Sequence, residues 1–143
     1  MNLNIAIADL IPHAGKMCLL DRVTEWNDAM IKISTSSHRD PENPLRSDGR
    51  LRAIHLCEYG AQAMAVHGGL RALANGGARA RPGLLVSLRD VTLYCDEIDQ
   101  LEDDLVITAN CIQQTHAAWQ YDFIAQHALH KIAEGRATVS LLK

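Results

Sequence analysis

The stretch His55-Leu56-Cys57-Glu58-Tyr59-Gly60-Ala61-Gln62-Ala63-Met64-Ala65-Val66-His67 decides how this chain folds. It is apolar on nearly every side, and a helix hydrophobic all round belongs in the middle of a domain. The apolar pattern runs on to Ala74 and meets Gly76-Gly77 as a stop signal, so a single long helix is predicted over 54–74. One carboxylate interrupts it. Placing Glu58 close to such an interior is costly unless the group is paired, hydrogen-bonded or protonated. General acid–base chemistry is one reason to keep a carboxyl there. Gln62 follows at i+4, which sets its amide above Glu58 on the same helical face. A helix cap or an arginine partner is the plain structural alternative for Glu58.

Outward from the helix, the C-terminal side reads as strands. After Pro82-Gly83, the runs 84–88, 90–94, 104–110, 119–125 and 133–141 have strand character, several with period-two alternation. On the N-terminal side, Ile11-Pro12-His13 and Gly15 predict a loop that enters a strand near Leu19–Val23, and the alternation of Met30-Ile31-Lys32-Ile33-Ser34-Thr35 predicts another. Residues 37–50 hold two prolines, a glycine and many charges, and cannot form a buried regular element. Loops of this length in compact domains are often functional. One buried helix among successive strands predicts an α+β domain, residues 1–143, in which an antiparallel sheet wraps the helix.

The 143 residues carry 48% hydrophobic and 22% charged side chains, a globular balance without an apolar run long enough for a bilayer. The N-terminus lacks the marks of a signal peptide, so a cytoplasmic protein without a membrane partner is expected. Cys18, Cys57, Cys95 and Cys111 are scattered and read as free, mostly buried thiols. The seven histidines show no zinc-type spacing, and no metal is expected. A net charge of −3 gives no bulk attraction to nucleic acid. The charge is uneven, however: Arg39, Arg46, Arg50, Arg52, Arg71, Arg79 and Arg81 crowd around the helix, and Asp96, Glu97, Asp99, Glu102, Asp103 and Asp104 form a later acidic block. A solvated surface of mixed sign is one reading, and a dock for an acidic or phosphorylated partner is the other. Trp26, Trp119, Phe123 and Tyr94 are read as core or tunnel residues, core first.

Pro12-His13 followed by Leu19-Leu20-Asp21-Arg22-Val23, the helix motif Glu58-Tyr59-Gly60-Ala61-Gln62, Leu88-Arg89-Asp90-Val91 and Glu134-Gly135-Arg136-Ala137-Thr138-Val139 occur in this order. Together they resemble the hot-dog fold, specifically the beta-hydroxyacyl-ACP dehydratases and, within them, the dehydratase-like branch of aryl-polyene and related pigment clusters. The resemblance implies a dimer, of identical or related subunits, with a tunnel at its interface. There a loop histidine of one subunit and the helix carboxylate of the other eliminate water from a 3-hydroxyacyl thioester on acyl carrier protein, without a cofactor. By the same resemblance Glu58 handles the leaving hydroxyl and Gln62 orients water or the carboxylate. The N–H groups near Ala53 and Ile54, at the helix start, polarise the thioester carbonyl. Arg46, Arg50, Arg52, Arg79 and Arg81 would dock the acidic carrier.

The chain departs from the family at the loop. Where members carry G-H-F-P-x-x-P-x-x-P-G, it reads Glu42-Asn43-Pro44-Leu45-Arg46-Ser47-Asp48-Gly49-Arg50, with Asn43 within one residue of the expected histidine. Asparagine hydrogen-bonds but takes no proton near neutral pH. Three readings follow: Glu58 works with Asn43 as a positioning donor; another histidine substitutes; or the site binds an acyl thioester without dehydrating it. His55 is the best substitute, since His55, Glu58 and Gln62 fall on one stripe at i, i+3 and i+7. His13 reads as structural, His38 and His67 as outside candidates, and His116, His127 and His130 as surface. A non-catalytic partner subunit of an active dehydratase, or a hot-dog thioesterase, are the alternative functions.

Overall fold

The computed structural model describes residues 6–11, 15–76 and 83–141. Pro12, His13, Gly77, Arg79, Arg81 and Pro82 lie outside the described residues. A 3-10 turn, Ala53–His55, leads into the one long helix, α1, Leu56–Ala74. Its sequence is rich in alanine and leucine, with Val66 its one β-branched residue, while Gly60, Gly68 and Gly69 oppose helix formation and leave packing of its buried face to hold it. Gly76 ends it at φ +73°, donating its N–H to Leu73 O.

Six strands make one antiparallel sheet: β1 (Arg22–Trp26), β2 (Met30–Thr35), β3 (Gly83–Leu93), β4 (Leu105–Gln114), β5 (Ala118–His127) and β6 (His130–Leu141), in the order β1-β2-β4-β5-β6-β3. Alternate residues of the central strands face the helix: Leu105, Ile107 and Ala109 on β4, and Tyr121, Phe123 and Ala125 on β5, are fully buried. Gly60 of α1 and Gly135 of β6 flank the Phe123 ring. A Cβ would stand 2.6 Å from the ring at the first and 2.9 Å at the second, so this close approach needs glycine at both positions.

The structure corrects the sequence reading at two elements. The runs 84–88 and 90–94 form one strand, β3, because the polar pair Arg89-Asp90 sits at a bulge with Asp90 at φ +54° and does not end the pairing with β6. The 37–50 connection is irregular apart from a 3-10 turn, Ser37–Arg39, yet it is not solvated throughout: His38 and Asn43 are buried. Of the four free cysteines only Cys57 is buried. Phe123 is core and Trp26 packs against the core, whereas Tyr94 is 54% exposed and donates its hydroxyl to Glu134 at 2.7 Å. Among the described residues no helix is long and apolar enough to cross a membrane.

Candidate active site

Glu58 stands in the first turn of α1 and is half-buried. Gln62, one turn on, is fully buried and fully bonded. Its Nε2 donates to Glu58 Oε1 at 3.1 Å and to Met17 O at 2.8 Å, while its Oε1 accepts the Leu19 N–H at 2.9 Å. Reversing the amide would set its oxygen against two oxygens, so the network itself fixes the orientation. Gln62 therefore does two things. It aims one oxygen of Glu58, and it fastens the segment entering β1 to the helix.

Asn43 does not join this pair. Its Nδ2 donates to Ser37 O at 2.9 Å and to the Tyr59 hydroxyl at 3.1 Å, and its Oδ1 accepts the Leu45 N–H at 2.9 Å. All its bonding capacity goes into shaping the loop. Around it lies a network that the sequence reading passed over. The Tyr59 hydroxyl also meets Ser37 Oγ at 2.9 Å, and Ser37 and Thr35 both donate to Leu19 O. Burial holds the Tyr59 phenol above its ordinary pKa, so it stays protonated. The signal available was a tyrosine beside Glu58 in an otherwise apolar helix, with a hydroxyl that needs a partner when buried.

The histidines separate by environment. His38 is buried with Nε2 facing Leu101 O at 2.9 Å, which makes Nε2 the protonated nitrogen and leaves Nδ1 an acceptor without a partner. His67 is buried with Nε2 on Asn27 O at 2.7 Å and Nδ1 accepting the Tyr121 hydroxyl. Burial lowers the pKa of both. His55 is half-buried in the turn before α1, and its ring has no hydrogen bond among the described residues. His127 is half-buried rather than plain surface, with Nε2 accepting the Asp103 N–H at 3.2 Å.

At the helix start, the Ala53 N–H is engaged: it donates to Asp96 O at 2.8 Å, within the bridge that pairs Arg52 with Glu97. An engaged donor cannot polarise a thioester, which leaves the Ile54 N–H as the candidate of that pair. The arginines are not a bare basic patch either. Arg50 and Arg52 share Glu97 at 2.8 and 3.1 Å, and Arg46 donates to Gly49 O and His38 O. Arg39 pairs with Asp104 at 2.9 Å. Three arginines of the basic middle thus share two carboxylates of the acidic block. Among the described residues no group of three His, Cys, Asp or Glu side chains is placed to hold a metal.

A six-stranded antiparallel sheet packed on one long helix, with a held carboxylate in that helix's first turn, is the hot-dog architecture. The chain belongs to the ApeP dehydratase family, whose model, ApeP-like, matches residues 5–141. It is similar to a chain of the dehydratase heterocomplex ApeI:P from Xenorhabdus doucetiae, with 22% identity, a TM-score of 0.88, and 97% of this chain and 92% of that chain covered. It is also similar to AziG of S. sahachiroi (13% identity, TM-score 0.66, coverage 94% and 98%). A hypothetical thioesterase with coenzyme A from Streptococcus pneumoniae TIGR4 shares the fold as well (13% identity, TM-score 0.60, coverage 84% of each chain). At such identities the likeness to these structures is one of fold. No protein with a curated description matches the sequence.

Proposed function

We propose that this chain is the carboxylate-bearing subunit of a 3-hydroxyacyl-[acyl-carrier-protein] dehydratase of fatty-acid or polyene synthesis, working in a dimer with a related hot-dog subunit. The observation that carries the reading is the Gln62 clamp. A fully bonded amide holds Glu58 Oε1 at 3.1 Å on a half-buried helix face, a preorganisation that a purely structural carboxylate does not need. In the elimination, a base removes the proton at C2, the C2–H electron pair becomes the C2=C3 double bond, and the C3 hydroxyl leaves as water with a proton from Glu58. The Ile54 N–H is the donor proposed for the thioester oxygen.

The base is the open role. Asn43 is locked into the loop, and His38 and His67 are buried with their Nε2–H groups on carbonyls, so His55, in the turn leading into α1, is the candidate we retain from this chain. A histidine from the second subunit is the alternative that the family's shared site supplies, and the ApeI:P relative is a dehydratase heterocomplex. The strand β3 offers the surface for such a partner: Leu84 and Val86 are 58% and 56% exposed on a strand that, among the described residues, ends the sheet. Arg50 and Arg52, two cations on one carboxylate and more than half exposed, keep an excess of positive charge for an acidic carrier protein.

Mass spectrometry of a 3-hydroxyacyl carrier-protein thioester, incubated with this chain alone and with a related hot-dog subunit, tests the reading. Loss of water that falls roughly a hundredfold in Glu58→Gln is the expected outcome. The locked Asn43 amide favours a second reading, a subunit that binds the acyl group without reacting. Dehydration by the pair that is indifferent to Glu58→Gln would establish it, and loss of the whole acyl group would identify a thioesterase.

A further inference from the structure

Two observations near the C-terminal end of α1 bear on the length of chain the protein accepts. The Trp119 indole, from the start of β5, occupies the space where a Cβ on Gly68 would stand, so ring and helix backbone are in direct contact. The same indole walls a cavity of about 360 Å³ whose other lining includes Arg71, Asn75, Gln114, Thr115 and Leu141. That cavity is hostile to an alkyl chain. Arg71 reaches Cys111 Sγ at 4.0 Å, but its Nε is buried without an acceptor, and among the described residues no carboxylate lies within ion-pair distance of it. An apolar tail that entered would strip the remaining water from an uncompensated cation.

On the flank of α1 that carries Glu58, the half-buried positions Ala61 and Ala65 follow at i+3 and i+7, and Gly68 at i+10. Ten residues of helix span about 15 Å. With carbon–carbon bonds near 1.5 Å, that is the length of an extended chain of about a dozen carbons. We infer that Trp119 is a specificity-determining end wall, which stops the tail of a chain held at Glu58 against Gly68 and keeps it out of the polar cavity behind. The inference rests on the acyl-thioester reading of Glu58.

The test is affinity across a series of saturated 3-hydroxyacyl-pantetheine thioethers, from about eight to about eighteen carbons, measured by calorimetry on the full chain with its partner subunit where one copurifies. In the parent protein, binding tightens about fourfold for each added methylene until the tail meets the indole, near a dozen carbons, and then levels off. In Trp119→Ala the tightening continues past that length. Trp119→Phe, which keeps a ring and serves if the alanine variant does not fold, moves the break point outward by a smaller step. The same break point in parent and variants overturns the inference, as does continuous tightening in the parent or no binding at any length. Dehydration of matching carrier-protein thioesters is followed in parallel. A break without dehydration removes the dehydratase reading and leaves the wall, and dehydration without a break does the reverse.

Discussion

Asn43 and Gln62 are both buried carboxamides with every donor and acceptor engaged, and they do opposite work. Gln62 ends on the carboxylate proposed to react, Glu58 Oε1, while Asn43 ends on loop backbone and a phenol. Their substitutions should therefore separate. Asn43→Ala leaves the Ser37 carbonyl, the Tyr59 hydroxyl and the Leu45 N–H short of a partner, and is expected to lower stability by about 1–3 kcal/mol in urea unfolding. Its effect on turnover per folded molecule should be slight, and a loss of activity at unchanged stability would restore Asn43 to the mechanism. Gln62→Met unpairs Met17 O and the Leu19 N–H and removes the amide's hold on Glu58 Oε1, so a comparable stability loss should come with a fall in kcat of roughly tenfold to a hundredfold. Glu58 and Gln62 could be paired from the sequence because i and i+4 is a local rule. The other partners of Gln62 lie 43 and 45 residues away, and no local pattern announces them. For the same reason the engagement of Ala53 by Asp96 was hidden, as was the pairing of Arg50 and Arg52 with an acid 47 and 45 residues on.

Among the elements, α1 was legible almost to the residue because composition, apolar pattern and the terminal glycine agreed on it. β3 was not, since a bulge at Arg89-Asp90 looks in sequence like a turn between two strands. β3 is also exposed or half-exposed along its length, so its apolar residues mark a surface rather than the core. Val86→Lys should accordingly weaken association, read as a shift towards the single chain in analytical ultracentrifugation, with the helix content unchanged; an unaltered sedimentation profile would move the interface elsewhere. The contact of α1 with the sheet can be probed at Gly60. Gly60→Ala forces a methyl against Phe123 and is expected to cost about 1–3 kcal/mol, although alanine is the better helix former. A stabilised variant would show that the ring moves aside freely.

For the molecule as a whole, His38 and His67 set an acid limit. Burial holds both imidazoles below their ordinary pKa, with Arg39 beside the first and Arg71 beside the second adding to the effect. The unfolded chain takes up these protons near pH 6.5 and the folded one only at lower pH, so stability is complete above about 6.5 and declines as pH falls. Each histidine contributes a slope of up to about 1.4 kcal/mol per pH unit. Urea midpoints measured from about pH 7.5 down to about pH 5 should fall, and His38→Gln or His67→Gln should each flatten the fall. A pH-independent midpoint would mean that both rings take up protons without opening the fold.

The Leu19 backbone is held on both sides, its carbonyl by Thr35 and Ser37 and its N–H by Gln62 Oε1. Since the other end of that carboxamide rests on Glu58, the Leu19 amide proton is separated from the carboxylate by a single polarisable group. In a nitrogen–proton correlation spectrum this one resonance is a built-in gauge. A molecule that reaches the carboxylate must move it, and a molecule that only touches the outer arginines must leave it still.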